Sequence, residues 1–247
     1  MKITEPFVRL ESVSLEYPRQ QRRLSNLFNR RNSKNNQHRR YRAALDSIDL
    51  DLRPDDRLAV VGFNGAGKST LLRILAGVYQ PSSGSVKIAG SVGALLDAGF
   101  GLDSHLSGLS NANTYSRFYG VPRSDRQAFV ADVRDFSGLG DFFDAPLSTY
   151  STGMLTRLMF ALVTTIRPDI LIMDELISTT DASFIKASRK RMGEQLDHAA
   201  IIVLASHSPD LLLKTCNRAI LLNQGRVELS GSVSEVLRAY SGPPSEK

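Results

Sequence analysis

RLAVVGFNGAGKSTLLRILAGV, from Arg57 to Val78, is the stretch that decides the fold. A short apolar run leads directly into a glycine-rich turn, and the residues after the turn have helical periodicity. The turn, GFNGAGKST, matches the GxxxxGK(S/T) phosphate-binding pattern in its required place between a strand and a helix. The stretch therefore predicts a phosphate-binding loop on an α/β sheet.

The residue types of this loop indicate its chemistry. Glycines let successive backbone amides point inward at phosphate oxygens, and the N-terminus of the following helix adds a favourable dipole. Lys68 is expected to reach the β- and γ-phosphates, and the Ser69 hydroxyl is expected to hold Mg²⁺. The residues predicted to contact the nucleotide in this loop are Gly62, Asn64, Gly65, Ala66, Gly67, Lys68, Ser69 and Thr70.

A second candidate for chemistry is the apolar strand DILIMDE, which ends with Asp174 and Glu175. A parallel strand delivers such acids to the carboxyl edge of the sheet, where the ligands of doubly wound sheets bind. We expect Asp174 to hold the shell of the Mg²⁺ ion. Glu175 is then placed to polarise the attacking water, by direct or indirect base catalysis.

Composition excludes several classes of protein. Hydrophobic residues make up 42% of the chain and charged residues 23%, as in soluble globular proteins. No apolar run approaches the roughly 20 residues of a membrane-spanning helix, and the N-terminus lacks the apolar core of a signal peptide. The single cysteine, Cys216, cannot form an internal disulfide. We therefore expect a cytoplasmic protein.

The pattern along the chain predicts one α/β domain over 1–247. FVRLESVSLEY and ALDSIDLDL alternate like strands, DILIMDE and AAIIVLASH are typical of buried strands, and NRAILLNQGRVELSG predicts a hairpin around Asn223 to Gly225. The residues between Gly90 and Ile166 are expected to be mostly helical, which places a helical subdomain at about 92–166. A basic insert is expected at about 18–44.

The segment YSTGMLTRLMFALV predicts a helix that Ser151 caps. A helix N-terminus with Ser and Gly is another anion site, although many helices begin in this way. Its functional meaning comes from its order in the chain, after the phosphate loop and the helical insertion and before the acidic strand. The predicted apolar face of the helix consists of Leu155, Leu158, Met159 and Leu162.

This order of motifs resembles the nucleotide-binding subunits of ABC transporters across essentially the full chain. The resemblance implies a P-loop NTPase core of the RecA-like type, with a mainly parallel sheet, an antiparallel β edge subdomain and a helical insertion subdomain. It implies ATP hydrolysis with ATP and Mg²⁺ as cofactors, in a homodimer that sandwiches two ATP molecules head to tail. The family signature is LSGGQ-like, and YSTGM matches it at Ser151 and Gly153. These residues are implied to contact the γ-phosphate held by the opposite subunit.

The same resemblance implies roles for residues elsewhere in the chain. Asp181 in TTDASF lies at the position of the family's inter-subunit aspartate, and His207 in LASH lies at that of the switch histidine. Tyr17, at the end of the first strand, matches the aromatic residue that stacks on adenine; Tyr41 is the less favoured substitute. The implied catalytic residues are Lys68, Glu175 and His207.

Several phrases resemble one branch of the family, the exporters of O-antigen, capsule and teichoic acid polysaccharides. These are ALLDAGFG, HLSGLSN, YSTGM and DASF, whose usual forms are close to ALLELGAGF, LTGREN, YSSGM and GDASF. The sequence departs from the branch in DAGFG, in SGLSN and in STTD. The resemblance implies a peripheral subunit on the cytoplasmic face of the inner membrane, beneath a membrane-spanning partner that moves a lipid-linked polysaccharide.

Two alternatives stay open. One is the ATPase of another kind of ABC transporter, which a glutamine in the loop after Gly90 would have favoured. The other is a soluble ABC ATPase of translation or DNA repair, which usually joins two cassettes or inserts a long coiled coil. Because the chain ends soon after its last predicted strand and helix, we expect no C-terminal carbohydrate-binding domain.

The loop after Gly90 carries Asp97 where most transporter ATPases carry a metal-sensing glutamine; no glutamine lies between Gln80 and Gln127. An ionised aspartate offers only acceptors, but a carboxylate is a good ligand for Mg²⁺. Two hypotheses remain for Asp97. It contacts the metal and senses the nucleotide, or it only shapes a flexible coupling loop.

Positive charge is concentrated in the basic insert. Eight arginines and one lysine lie between Pro18 and Ala44, and removing these nine from the 31 basic residues leaves 22 against 25 acidic residues. The insert is a solvated loop, a membrane-facing element, or a nucleic-acid site. Nucleic acid ranks last, because few aromatic residues and no nucleic-acid-binding fold accompany the charge.

Overall fold

The computed structural model of the protein describes residues 5–18, 41–96, 101–174 and 182–241. Within these ranges the chain forms a three-stranded antiparallel sheet and a six-stranded, mostly parallel sheet, with helices packed against both. This arrangement confirms the predicted α/β class with a mainly parallel core and an antiparallel edge.

The antiparallel sheet has strand β1 (Phe7–Pro18) at its centre, between β2 (Tyr41–Leu52) and β4 (Ser83–Ala89). Alternate residues of β1, such as Val8 and Leu10, are buried, as the alternating sequence predicts. One face of this sheet therefore packs on the core.

The larger sheet has the strand order β5-β6-β7-β3-β8-β9. Within the described residues, β9 is the only strand of this sheet that runs antiparallel to its neighbour. It forms the predicted hairpin with β8 through Gln224 and Gly225. The strands are β3 (Arg57–Val61), β5 (Val92–Leu95), β6 (Ile170–Asp174), β7 (Ile201–Ala205), β8 (Arg218–Asn223) and β9 (Arg226–Gly231).

The described ranges contain α1 (Lys68–Leu75), α2 (Gly108–Phe118), α3 (Arg126–Ser137), α4 (Thr152–Ile166), α5 (Ala182–His198), α6 (Pro209–Thr215) and α7 (Val233–Ser241). Two short 3₁₀ segments, Gly140–Asp144 and Leu147–Thr149, connect α3 to α4. In the described part of the chain, every helix is too short or too polar to cross a membrane.

Buried apolar residues form three clusters. Successive strand residues point to opposite faces of the larger sheet, so Val60 joins the first cluster and Val61 the second. The first cluster encloses α1 between the two sheets, and the second lies under α4 to α7 on the other face. The third cluster joins α2, α3 and α4. Helix α1, which follows the phosphate loop, is therefore held from both sides.

Two predicted boundaries are wrong. Val92–Leu95 is strand β5 and not the start of a helical region, because its short apolar run pairs in parallel with β6. The helices begin only at Gly108. Tyr41 to Ala44, assigned to the basic insert, already belong to β2, where Arg42 pairs with Tyr17. The rest of the insert, residues 19–40, lies outside the described residues.

Candidate functional site

One edge of the larger sheet gathers three of the predicted segments. In the strand register, Val60 of β3 lies beside Ala205 of β7, and Ala205 lies beside Asp174 of β6. The phosphate loop begins two residues after Val60, at Gly62, and His207 follows Ala205 by two residues. Parallel pairing thus brings the phosphate loop, the acidic strand end and the histidine segment to the same carboxyl edge.

The start of helix α1 is shaped by Gly67, the residue at the N-cap, which has a φ of 111°. A Cβ atom here would lie 2.7 Å from the carbonyl oxygen of Ala44 and 2.9 Å from a methyl group of Leu45. Glycine is therefore required both by conformation and by space. The N-cap residue has no side chain to accept a hydrogen bond, and the first-turn amides of α1 form the positive end of the helix dipole. That arrangement suits a phosphate group.

Ser69 and Asp174 meet at this edge, as the two motifs predict. The Ser69 hydroxyl donates a hydrogen bond of 2.9 Å to Oδ2 of Asp174 in a partly buried setting. Within the described residues, no three His, Cys, Asp or Glu side chains form a metal-binding group. A hydroxyl and one carboxylate are hard oxygen ligands of the kind that Mg²⁺ takes together with phosphate oxygens and water. The donor chemistry therefore fits Mg²⁺.

The ammonium group of Lys68 points into the loop. It donates to the carbonyl oxygen of Gly62 at 2.6 Å and to that of Phe63 at 3.3 Å. The charge is therefore held among the loop carbonyls, in a half-buried position close to the amides of α1. A phosphate bound there would meet the lysine and the helix start together.

Tyr17 lies beside the phosphate loop, although it belongs to the other sheet. Burial raises the pKa of its phenol above the ordinary value, and a hydrogen bond with Thr70 acts in the opposite direction. Its ring meets Tyr79 edge-on, with centroids 5.9 Å apart, and Arg73 lies over the Tyr79 ring at 5.9 Å. The structure thus places the predicted adenine-stacking residue next to the loop and adds Tyr79, which sequence reasoning missed. The only sequence signal for Tyr79 is an aromatic residue just after α1.

The start of helix α4 is closed by its own serine. Ser151 Oγ accepts a hydrogen bond from the amide of Met154 at 3.3 Å, which confirms the predicted cap. Ser151 is exposed and Gly153 is half-buried. Of the predicted apolar face, Leu158 and Leu162 are fully buried.

The deciding comparison is with protein families. A family model described as ABC transporter matches residues 45–178, more than half of the chain, and covers the phosphate loop, helices α2 to α4 and the acidic strand. The chain belongs to the ABC transporter family. The resemblance inferred from the motifs is thereby confirmed, and the chain is an ABC-type ATPase that binds ATP.

The chain is similar to curated members of this family that are named for the export of O-antigen or teichoic acids. The O-antigen export system ATP-binding protein RfbE of Yersinia enterocolitica is 41% identical over 184 residues, which cover 74% of this chain and 77% of the relative. The O-antigen export system ATP-binding protein RfbB of Klebsiella pneumoniae is 33% identical, over 80% of each chain. The teichoic acids export ATP-binding protein TagH of Lactococcus lactis is 36% identical over 80% of this chain, but the match spans only 42% of that longer relative.

Solved structures support the fold. An ATP-binding subunit of an ABC transporter superposes with a TM-score of 0.72 at 20% identity, covering 96% of this chain and 95% of that one. The ATP-binding cassette MJ0796, in a dimeric post-hydrolysis state with ADP and Pi, superposes with a TM-score of 0.69 at 18% identity, covering 92% and 98%. The ABC ATPase fold is thus established over nearly the whole chain.

Three predicted site residues lie outside the described part of this ABC ATPase: Asp97, Glu175 and Asp181. Their roles remain predictions from sequence. His207 is described and exposed, one residue after the buried Ser206 at the end of β7. Its position at the carboxyl edge agrees with the implied role, which also stays a prediction.

Proposed function

We propose that this ABC ATPase powers the export of a lipid-linked polysaccharide, of the O-antigen, capsule or teichoic acid type, across the cytoplasmic membrane. The observation that carries the proposal is the 41% identity, over 74% of the chain, to an ATP-binding protein named for O-antigen export. A relative named for teichoic acid export supports the same class of cargo. The phrases ALLDAGFG and YSTGM, which resemble those of this branch, agree with the proposal.

The subunit works as a homodimer on the cytoplasmic face of the membrane, beneath a membrane-spanning partner. The dimeric state of MJ0796 supports this assembly. In the proposed head-to-tail dimer, the start of α4 brings Ser151 and Gly153 to the γ-phosphate held by the other protomer. Asp181 crosses the same interface. ATP binding closes the dimer, and hydrolysis reopens it.

Within one protomer, each residue has a separate part in the proposed hydrolysis. Lys68 and the α1 amides hold the β- and γ-phosphates, while Tyr17 stacks on the adenine. Mg²⁺, held by Ser69 and Asp174, would neutralise charge on the phosphate oxygens. Glu175 orients the attacking water, and His207 contacts the γ-phosphate from the neighbouring strand.

Asp97 has a further proposed role as a metal-sensing residue in the coupling loop. Its carboxylate would complete the shell that Ser69 and Asp174 begin. The variant Asp97→Ala tests this role through the Mg²⁺ dependence of ATP hydrolysis. An unchanged rate and an unchanged Mg²⁺ dependence would leave Asp97 only the task of shaping the loop.

The experiment for the cargo is Glu175→Gln, expressed in place of the natural chain in its own host. We expect the chain to bind ATP but not hydrolyse it, the surface polysaccharide to disappear, and its lipid-linked form to accumulate inside the cell. Lys87→Ala, which changes an exposed residue of β4, is the matched control. A normal surface polysaccharide in the Glu175→Gln strain would contradict the cargo. If the chain is isolated only in complex with ribosomes or DNA, that result would favour a soluble ABC ATPase of translation or DNA repair.

A further inference from the structure

An exposed aromatic residue lies inside the phosphate loop. Phe63 follows Gly62 directly, and it is 53% exposed. Its ring contacts the ring of Tyr240, in the last turn of helix α7, with centroids 4.8 Å apart and planes inclined at 45°. The contact joins the loop to helix α7. The GxxxxGK(S/T) phosphate-binding pattern does not require an aromatic residue at Phe63.

Helix α7 is a firm support for this contact. It begins with a reciprocal capping box, in which the amide of Glu235 donates to Ser232 Oγ and the amide of Ser232 donates to the Glu235 carboxylate at 2.9 Å. One face of the helix then packs on the core below the larger sheet. The residues of that face, at helical spacing, are Val233, Val236, Leu237 and Tyr240.

The inner side of the phosphate loop is anchored through backbone atoms. The amide of Gly225, in the β8–β9 turn, donates to the carbonyl oxygen of Ala66 at 2.9 Å. Gly67 lies so close to Ala44 that a Cβ atom would not fit. This side of the loop is therefore fixed by the hairpin turn and by β2.

The outer side of the loop consists of the exposed residues Phe63, Asn64 and Gly65. The carbonyl oxygen of Phe63 accepts hydrogen bonds from the amide of Ala66 at 3.1 Å and from Lys68 Nζ at 3.3 Å. A movement of Phe63 would therefore displace an acceptor of the lysine that is expected to bind phosphate. The ring contact with Tyr240 restrains that movement.

We propose that Tyr240 is a positioning residue of the nucleotide site, which holds the Phe63 side of the phosphate loop in the conformation that receives ATP. Tyr240 acts through Phe63 and does not touch the nucleotide. Without the contact, the outer side of the loop samples more conformations, and ATP binding must order it. The loss appears in affinity, because the loop is ordered again once ATP is bound. The inference rests on the proposed nucleotide site at this loop.

The test is a double-mutant cycle with Tyr240→Ala and Phe63→Ala in the full chain. Titration with the fluorescent analogue MANT-ATP in the presence of Mg²⁺ gives the affinity, and phosphate release gives KM and kcat. Each single variant is expected to raise Kd and KM by about threefold to tenfold, with kcat within about twofold of wild type. The double variant is expected to match the single ones, because both remove the same contact.

Two further variants control for simple destabilisation. Tyr240→Phe keeps the ring and is expected to bind MANT-ATP like the wild type. Phe118→Ala removes another exposed ring, 83% exposed at the end of α2, and is expected to leave Kd unchanged. Thermal unfolding of each variant shows whether the fold is retained, and Phe63→Ala carries the test if Tyr240→Ala does not fold.

Failure of the inference and failure of the proposed function give different results. A wild-type chain that does not bind MANT-ATP would contradict the nucleotide site itself. A wild-type chain that binds it, with unchanged Kd and KM in folded Tyr240→Ala and Phe63→Ala, would overturn only the role of Tyr240. Additive losses in the double variant, or a loss of affinity in Tyr240→Phe, would also overturn it.

Discussion

Two helices of this ABC ATPase begin in opposite ways. Helix α1 begins after Gly67, which has no side chain to accept a hydrogen bond. Helix α4 begins after Ser151, whose hydroxyl accepts from the amide of Met154. Every helix start leaves backbone amides that need acceptors. At α4 the N-cap side chain supplies one of these acceptors, whereas at α1 the N-cap residue supplies none.

The two helix starts also differ in how closely they are packed. The start of α1 packs closely against Ala44 and Leu45 and lies next to Asp174, so the inner side of its loop is held in place. Ser151 is exposed at the start of α4. The proposed phosphate site within one chain thus combines an N-cap residue that has no side chain with close packing around it. The capped start of α4 is stable by itself, and its proposed contact with ATP needs a second chain.

The largest effect is expected from Lys68→Ala, which removes the charge from the cradle at α1. ATP hydrolysis should fall by about 100-fold or more, because the variant loses a preorganised positive charge that stabilises the phosphate being transferred. Phosphate release measured at saturating ATP checks this. Lys87→Ala is the control, since its charge pairs with Glu11 on the exposed sheet. Hydrolysis within tenfold of wild type would disprove the assignment of Lys68.

Gly67→Ala tests the cradle itself, with Gly65→Ala as its matched partner. Both residues have positive φ, at 111° and 80°, but a Cβ atom at Gly67 meets Ala44 at 2.7 Å, whereas nothing lies within 4 Å of one at Gly65. Gly67→Ala is expected to lower the free energy of unfolding by about 3 kcal/mol, and Gly65→Ala by about 1 kcal/mol. Urea unfolding measures both. Equal losses would show that the cradle is not tight at Gly67.

Ser69→Ala addresses the metal contact next to α1. The Mg²⁺ concentration for half-maximal hydrolysis is expected to rise about tenfold, because one oxygen ligand is lost beside Asp174. Titration of the ATPase rate with Mg²⁺ measures this. Ser69→Thr keeps the hydroxyl and should retain the wild-type dependence. An unchanged Mg²⁺ dependence in Ser69→Ala would remove Ser69 from the metal shell.

The smallest effect concerns Ser151→Ala at the start of α4. The free energy of unfolding is expected to fall by about 1 kcal/mol, the usual cost of a lost N-cap. Ser107→Ala is a matched control, because Ser107 caps α2 through the amide of Ser110 at 3.2 Å. Stability should fall similarly in both, but ATP hydrolysis should fall only in Ser151→Ala. Equal ATPase rates in the two variants would argue against a catalytic use of the α4 start.

Much of the site was predictable from sequence because its motifs are local. The loop from Gly62 to Thr70, the strand end at Asp174 and the cap at Ser151 each depend on a few consecutive residues. Their joint presence even predicts that Ser69 and Asp174 meet, because parallel strands end at a common edge.

Other features escaped prediction because they depend on distant partners. Val92–Leu95 is a short apolar run that could belong to a helix or a strand, and only pairing with β6 makes it a strand. Tyr79 contacts Tyr17 only because the antiparallel sheet brings the two rings together. The same holds for Phe63, whose ring finds Tyr240 only when α7 folds back onto the core.

The sequence by itself determined the chemistry of this protein: a phosphate loop, an acidic strand end and a family signature, each written in adjacent residues. The tertiary structure decided which side chains support that chemistry. Strand pairing and helix packing select Tyr79 beside Tyr17, and Tyr240 beside Phe63, from many aromatic residues of equal local character. The physical reason is that local patterns set backbone conformation and residue type, whereas contacts between distant segments exist only after the hydrophobic clusters have formed.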